Sequence, residues 1–347
     1  MLMPIAADRL RQWVTDLLVA WSYSADDAAY IADTLVDANL RGVDSHGVIR
    51  LGAYRARLDA GLVDPAATPL VTRAGATARV DANGAAGQIA ARAATETARD
   101  AAREHGIAAV AVHGSAHFGA AGYYARALAA DGLIGVVVSN SEPVVVPFGG
   151  RDPLFGTNPL AFAAPTSGAP ISLDMATSTS AMGKVLVARA EGRQVPSDWG
   201  VDESGAPTTD PDRIRALLPA GGPKGYALGF LVEVLGGVLT GAAITHGIGN
   251  MYSDFDRPQD VGHFLIAIDI ARFLPREEFL ARMDALAAEA HAIAPAPGFD
   301  AVLVPGEPEE RSRAARAAGG VPLGDATIAE LRALGDAAGV AFPEVGA

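Results

Sequence analysis

The chain has 347 residues, no cysteine, and 27 Lys+Arg against 40 Asp+Glu, a formal net charge of −13. The missing thiols exclude disulfides, Cys-ligated zinc, iron–sulfur clusters and thiol nucleophiles, and the acidic balance argues against a nucleic-acid partner, which needs clustered Lys and Arg. Half of the residues are hydrophobic and 19% are charged, enough apolar surface to offset ordering entropy over two domains or one large one.

The first residues meet Asp8 and Arg9 before any apolar run of signal-peptide length, so no targeting segment is expected and a cytoplasmic location fits. Leu10, Trp13, Val14, Leu17 and Leu18 have the spacing of an amphipathic helix over Asp8–Ala20. Ser24 followed by Asp27 predicts a capped second helix through Leu40. Asp44 or Ser45 can cap a third, running to Ala60 and stopped by Gly61. Residues 1–75 therefore read as helical. Beyond them the pattern is mixed. Strands are expected at Ile107–Val112, Ile134–Ser139, Ile171–Met175 and His263–Ile270. Helices are expected at Ala120–Ala130, Ala181–Arg189 and Pro275–Ala292. The polar stretch Glu191–Pro211 reads as a long loop or hairpin. Tyr226–Ile244 is about long enough to span a bilayer but holds Glu233 and several glycines, so Gly225–Gly241 is read as a buried helix of a protein without a membrane span. The tail from Ala301 reads as a short strand (AVLV), a Pro-Gly-Glu turn and two helices ending near Ala338.

Five constellations could carry chemistry. On the expected third helix, His46, Arg50 and Tyr54 are spaced i, i+4, i+8 and would share a face. A guanidinium there can grip a carboxylate at two points, and a histidine a turn away can move a proton near neutral pH. An exposed, capped helix face is the bland alternative. His113-Gly-Ser-Ala-His117-Phe-Gly119 joins a buried strand to a helix, the junction where α/β proteins place ligand contacts; the helix N-terminus would favour neutral imidazole at His117. The alternative is a satisfied histidine in a glycine-rich turn. Gly149-Gly150 through Gly156-Thr157-Asn158-Pro159 would admit close backbone approach or simply form turns. Asp174-Met175-Ala176-Thr177-Ser178 with Lys184, and Gly222-Pro223-Lys224-Gly225, set hydroxyls or a lysine beside a helix start, which suits a pyrophosphate; solvated lysines are the alternative. No G-x-G-x-x-G joins a strand to a helix, so a Rossmann fingerprint is absent, as are G-x-S-x-G and H-E-x-x-H.

In order along the chain run RGVDSHGVIRLGAY, AHFGAAGYYA, PFGG, GTNPLAFAAP, LDMATS with GK, GPKGYAL, GHFLIAID and VPGEPE. Together they resemble the type-2 malate/L-lactate dehydrogenase family, whose relatives include ureidoglycolate, sulfolactate and diketogulonate dehydrogenases and Δ1-piperideine-2-carboxylate reductases. The resemblance spans about Leu10 to Val340. It implies hydride transfer between NAD or NADP and C2 of a small 2-hydroxy or 2-oxo acid, or a cyclic imino acid carrying a carboxylate. It also implies an α/β (mixed α+β), non-Rossmann fold. Residues 76–296 would form the NAD(P)-binding domain around a mixed sheet, and residues 1–75, joined by 297–347, a helical subdomain built from the chain termini. A homodimer with its site near the subunit interface is implied as well.

The matching positions make His117 the acid/base, with His46, which other members name as proton donor, as the alternative. Ser45, Arg50 and Tyr54 would bind the substrate, Arg50 at its carboxylate. Asn140 or Ser141, Thr157, Asp174, Met175, Ala176, Thr177, Ser178, Lys184, Lys224, Gly225, Pro305, Gly306 and Glu307 would bind the cofactor. The segment Ser139-Asn140-Ser141-Glu142 departs from the family's form, which leaves the first of these contacts open. No metal is expected. Two rival readings remain: a zinc-type hydrolase using Asp44, His46, His113, His117 and His263, and a silent NAD(P)-binding protein on the same fold. His113 and His117 have HxxxH spacing but straddle a strand end and a glycine turn rather than one helix face.

Overall fold

The computed structural model describes residues 2–344. The chain begins with strand β1 (Leu2–Ile5) and helices α1 (Ala7–Ala20) and α2 (Ala25–Leu40). Leu10, Trp13, Val14, Leu17 and Leu18 of α1 are all buried, as their spacing predicts. The side chain of Ser24 accepts the Asp27 amide at 3.1 Å and caps α2. Two single 3-10 turns (Asp44–His46 and Val48–Arg50) then lead into α3 (Leu51–Asp59).

A mixed sheet of seven strands follows. It comprises β2 (Leu70–Ala74), β3 (Thr77–Asp81), β4 (Ile107–Ser115), β5 (Leu133–Ser139), β6 (Leu160–Ala164), β7 (Ile171–Met175) and, later in the chain, β10 (Val261–Asp269), in the order β2-β3-β4-β10-β5-β6-β7. Only β3 and β4 pair in parallel. β10 lies antiparallel between β4 and β5, where its nearly continuous apolar run is covered. Helices α4 (Gly87–His105) and α5 (Ala121–Ala130) pack on this sheet. Ala90, Ala94, Ala98 and Ala101 form a stripe of fully buried small residues along α4, which lets the helix axis approach the strands closely. Gly106 at φ 88° ends α4 in a left-handed cap, and β4 starts at the next residue.

The remaining elements are α6 (Met182–Ala190), the short pair β8 (Gly200–Val201) and β9 (Ala216–Leu217), α7 (Pro223–Glu233), α8 (Arg276–Ala292), α9 (Glu307–Gly319), β11 (Val321–Gly324) and α10 (Asp325–Ala338). A second hydrophobic core gathers the first helices with the C-terminal segment: Trp13, Leu17, Ile31, Leu35 and Leu51 pack with Val321, Ile328 and Leu331. Trp13 meets Phe342 edge-on at 4.8 Å, and β1 pairs antiparallel with β11.

Several expectations are corrected. The first 75 residues are not purely helical, since β1 and β2 lie among them. The expected helix from Asp44 to Ala60 is broken at Gly47, whose ψ of −152° is extended. Asn39 Oδ1 accepts the Val48 amide at 2.9 Å and stands in for a helical carbonyl. The AVLV segment is not a strand; it runs past the start of β7, where the Ser172 amide donates to the Pro305 carbonyl at 3.1 Å. Gly225–Gly241 is not a uniform buried helix. α7 passes into a π-helical turn at Val234–Val238, and although Gly229, Val232 and Glu233 are buried, Phe230 and Val238 are 50% and 59% exposed. No described helix is long and apolar enough to cross a membrane.

Candidate active site

The break at Gly47 between the two 3-10 turns bends the 44–54 segment so that its polar side chains converge on His117, which lies in the connection between β4 and α5. The Tyr54 hydroxyl is 2.8 Å from His117 Nδ1. The His46 ring stacks on the His117 ring, with centroids 5.4 Å apart and planes 24° from parallel. His46 Nδ1 is 2.9 Å from the Ser45 hydroxyl. The Arg50 Nε donates to the Ser45 carbonyl at 2.5 Å, and the Tyr252 ring lies 5.6 Å from the guanidinium. The two terminal nitrogens of Arg50 make no hydrogen bond to a described residue, so the fork is free for a carboxylate. His46, Arg50, Tyr54 and His117 are thus brought together by the fold, though not by the single helix face that their spacing suggests.

Burial dominates the electrostatics. It pushes the His117 imidazole well below its ordinary range, with further lowering by Arg50, His46 and His263. His46 is lowered to about 4, first by burial and then by Arg50. Both rings are therefore neutral at physiological pH. The expected cause, the start of α5, is replaced by desolvation and neighbouring positive charge.

Residues that sequence reasoning passed over complete the cluster. Gln88, 1% exposed near the start of α4, donates to the Tyr54 hydroxyl at 2.8 Å. A Cβ on the preceding Gly87 would lie 2.3 Å from the Ala116 carbonyl and 2.5 Å from that of His117, so only glycine lets α4 begin against the histidine. The Gln259 side chain accepts the His117 amide at 3.1 Å. Arg57, 1% exposed, donates to the carbonyls of Asp254 at 2.9 Å and Arg257 at 3.1 Å, fixing the loop that carries Tyr252. The sequence signal for Gln88 is a polar residue just after a glycine turn and at the head of an alanine-rich helix.

The positions expected to hold a cofactor fall into two groups. Thr157, Thr177, Ser178 and Gly225 lie together: Thr177 donates through its amide (2.8 Å) and hydroxyl (3.0 Å) to the Thr157 carbonyl, and the Ala220 amide donates to the Thr177 carbonyl at 2.9 Å. A Cβ on Gly225 would lie 2.8 Å from that same carbonyl, so the start of α7 is pressed against this loop. Lys184 and Lys224 stand in the first turns of α6 and α7, exposed and without an ion-pair partner among the described residues. Each therefore presents an ammonium group beside a helix N-terminus, the kind of donor that suits a phosphate.

The remaining positions lie elsewhere, and several of them, like Thr177 and Ser178, are bonded within the fold. Asn140 donates to the Ala243 carbonyl at 2.8 Å and accepts the Gly262 amide at 2.9 Å, which leaves Ser141 as the more open of the two. The Asp174 carboxylate accepts the Gly122 amide at 2.7 Å in the first turn of α5. Met175 and Ala176 follow it out of β7, Met175 40% exposed. Pro305 bonds β7 as described. A Cβ on Gly306, at φ 98°, would lie 2.8 Å from the Ser172 hydroxyl, and Glu307 accepts the Val304 amide at 3.0 Å and meets His291 at 2.8 Å.

The malate/L-lactate dehydrogenase family model matches residues 5–332. A ureidoglycolate dehydrogenase (NAD(+)) from Escherichia coli is 38% identical over 325 residues, 93% of each chain. The malate dehydrogenase of Entamoeba histolytica superposes with a TM-score of 0.94 at 29% identity, covering 99% of this chain and 100% of that one. A Δ1-piperideine-2-carboxylate reductase from Pseudomonas syringae gives 0.85 at 35% identity, covering 95% and 99%. The chain belongs to the malate/L-lactate dehydrogenase family.

Family membership explains the absent Rossmann fingerprint, since these neighbours share the mixed sheet observed here. The hydrolase reading finds no support. Of its five suggested ligands, His263 is fully buried with Nδ1 2.9 Å from the Ser139 hydroxyl and Nε2 2.8 Å from that of Ser115. Asp44 pairs with Arg316 at 2.7 Å, and His113 stays on β4 opposite Asp81. No group of three metal-ligating side chains occurs among the described residues.

Proposed function

We propose that this chain is an NAD(P)-dependent oxidoreductase that moves a hydride between nicotinamide and C2 of a small 2-hydroxy/2-oxo acid. The observation that carries the reading is a neutral, burial-depressed His117 bonded to Tyr54 beside an Arg50 fork with no carboxylate of its own. Arg50 binds the substrate carboxylate and, with Ser45 and Tyr54, aims C2. His117 takes the hydroxyl proton in oxidation and returns it in reduction, while His46 stacks on it and helps hold the substrate. Thr157, Thr177, Ser178, Gly225 and the ammonium groups of Lys184 and Lys224 hold the dinucleotide, with Ser141 near its nicotinamide end. When bound, the nicotinamide supplies or takes up the hydride.

The reductase neighbour favours one second substrate class, a cyclic imino acid with a ring carboxylate, because Arg50 would grip that carboxylate in the same way. A panel of 2-oxo acids and cyclic imino acids, each with NADH and NADPH, tests both. Turnover of none of them would sink the proposal.

Three further parts belong to the same reading. The two cores support a helical subdomain of the first helices with the C-terminal segment and a cofactor domain around the sheet, close to the expected 1–75 with 297–347 and 76–296 except that β2 (Leu70–Ala74) joins the sheet and Ala85, Ala86 and Ile89 pack in the helical core. The exposed apolar side chains Phe230, Leu231, Val234, Val238 and Leu239 along α7 and its π turn support a homodimer that covers them. Sedimentation should give twice the chain mass, and Val238→Glu should shift it toward the monomer. A cytoplasmic location agrees with redox work done by a diffusible cofactor in a chain without thiols.

A further inference from the structure

Three donors meet in sequence around His117. The Gln88 amide nitrogen donates to the Tyr54 oxygen, the Tyr54 hydroxyl lies 2.8 Å from His117 Nδ1, and the Gly119 amide donates to the same nitrogen at 3.3 Å. A backbone N–H can only donate, so it marks Nδ1 as an acceptor, and the single hydrogen of a neutral ring then belongs on Nε2. His117 Nε2 has no hydrogen-bond partner among the described residues and is the atom left to meet a substrate oxygen.

We propose that Gln88 is a positioning residue that sets the His117 tautomer and makes Tyr54 its proton reserve. By donating to Tyr54, Gln88 turns the hydroxyl hydrogen toward Nδ1 and leaves the imidazole hydrogen on Nε2, facing the substrate. The inference rests on the reading of His117 as the acid/base. In reduction, the carbonyl carbon gains the hydride that the reduced cofactor supplies, and its oxygen gains the Nε2 proton. Nδ1 takes up the Tyr54 hydroxyl proton in the same step, and the phenolate left on Tyr54 recovers a proton from water. Oxidation is the reverse: Tyr54 first gives up its proton to water, and as Nε2 takes the substrate hydroxyl proton, Nδ1 returns its own to the phenolate; the ring stays neutral in both directions, so neither imidazolium nor imidazolate is needed.

The surroundings agree with this route. The ionisable groups around His117 are His46 and Arg50 from the 3-10 turns, Tyr54 from α3 and His263 from β10; Tyr23 and Arg57 line an inner cavity that Tyr54 and His117 also border, and Glu142 acts on both arginines. His46 and His263 are lowered to about 4 and about 3 and carry no charge near neutrality. Burial opposes a Tyr54 phenolate, but Arg50 and the Gln88 hydrogen bond both favour it.

The test is nitrogen NMR on protein labelled with [15N]histidine and free of substrate; the sequence has only 7 histidines, and His117 is assigned by its loss in His117→Ala. The wild type should show the hydrogen on Nε2. Gln88→Met should draw the two nitrogen shifts together, as tautomers mix, and Gln88→Glu, whose carboxylate accepts from Tyr54, should move the hydrogen to Nδ1. Single-turnover reduction should be flat between about pH 6 and 9 in the wild type. In Tyr54→Phe, which then needs imidazolium, it should fall about tenfold per pH unit. Hydrogen on Nδ1 in the wild type, or an Nε2 tautomer unmoved by either Gln88 variant, overturns the inference. Because the spectra need no substrate, failure of the wild type to turn over any oxo or imino acid would count against the functional reading alone.

Discussion

At the residue scale, the carboxylate grip proposed for Arg50 rests on a partly buried cation whose fork has no partner among the described residues. Its Nε is fixed by the Ser45 carbonyl, its guanidinium carbon sits over the Tyr252 ring, and the fork stays open. Burial lowers its proton affinity, yet an arginine remains charged, so the desolvated fork attracts a carboxylate strongly. Arg50→Lys keeps the charge and loses the planar two-point grip; kcat/KM for the acid substrate should fall about a hundredfold, mostly through KM. His117→Ala should lower kcat by ~10²–10⁴-fold with the cofactor dissociation constant nearly unchanged, since it removes proton transfer and no dinucleotide contact. Steady-state kinetics with a fluorescence titration of NADH separates the two effects, and a variant with near-wild-type kcat would reject His117 as the acid/base.

At the element scale, the site depends on a glycine pressed against a buried asparagine. A Cβ on Gly47 would lie 2.2 Å from Asn39 Oδ1, the atom that accepts the Val48 amide and starts the second 3-10 turn. Gly47→Ala should therefore cost about 2 kcal/mol in chemical denaturation and also raise KM, because the turn that carries Arg50 must shift. Loss of stability with unchanged KM would show that Asn39, not the turn, had moved. The same place shows what the sequence could and could not convey. The spacing in α1 and the Ser24 cap of α2 are local and were legible. The break at Gly47 was not, because its cause is an asparagine eight residues earlier that reaches back from another helix. β1 and β11 were missed because four-residue strands gain their partners only when the two ends of the chain meet. His46, Arg50, Tyr54 and His117 were legible as family motifs, and the helical spacing suggested for three of them proved to be incidental. In α7, apolar content indicated burial but not whether this chain or a second copy supplies the cover.

At the scale of the whole molecule, a net charge of −13 must coexist with anionic ligands. Most interior arginines are matched, as in the Arg41–Asp37–Arg126 cluster, with contacts of 3.1 Å and 2.5 Å. Only two of the 27 basic residues are lysines, and both stand at the helix starts proposed for the pyrophosphate. Reductive methylation should thus label two side chains besides the α-amino group, and saturating NADH or NADPH should protect both; labelling unaffected by either cofactor would remove the lysines from that site.

Whole-molecule stability should also depend on pH through the buried histidines. His46 and His263 are held neutral at about 4 and about 3, and His117 is lowered as well. Unfolded, each would titrate near 6.5. As pH falls below that value, the unfolded chain binds protons that the folded one refuses, so folding stability present above about pH 6.5 is lost progressively, by up to ~1.4 kcal/mol per pH unit for each group. Between about pH 6.5 and 5, ahead of most carboxylate titration, the slope of unfolding free energy should approach three protons. Urea denaturation at fixed protein concentration, which holds any subunit association constant, measures that slope directly. A flat profile across this window would mean that the three rings accept protons in the folded state, which is incompatible with a neutral, desolvated His117 at the centre of the site.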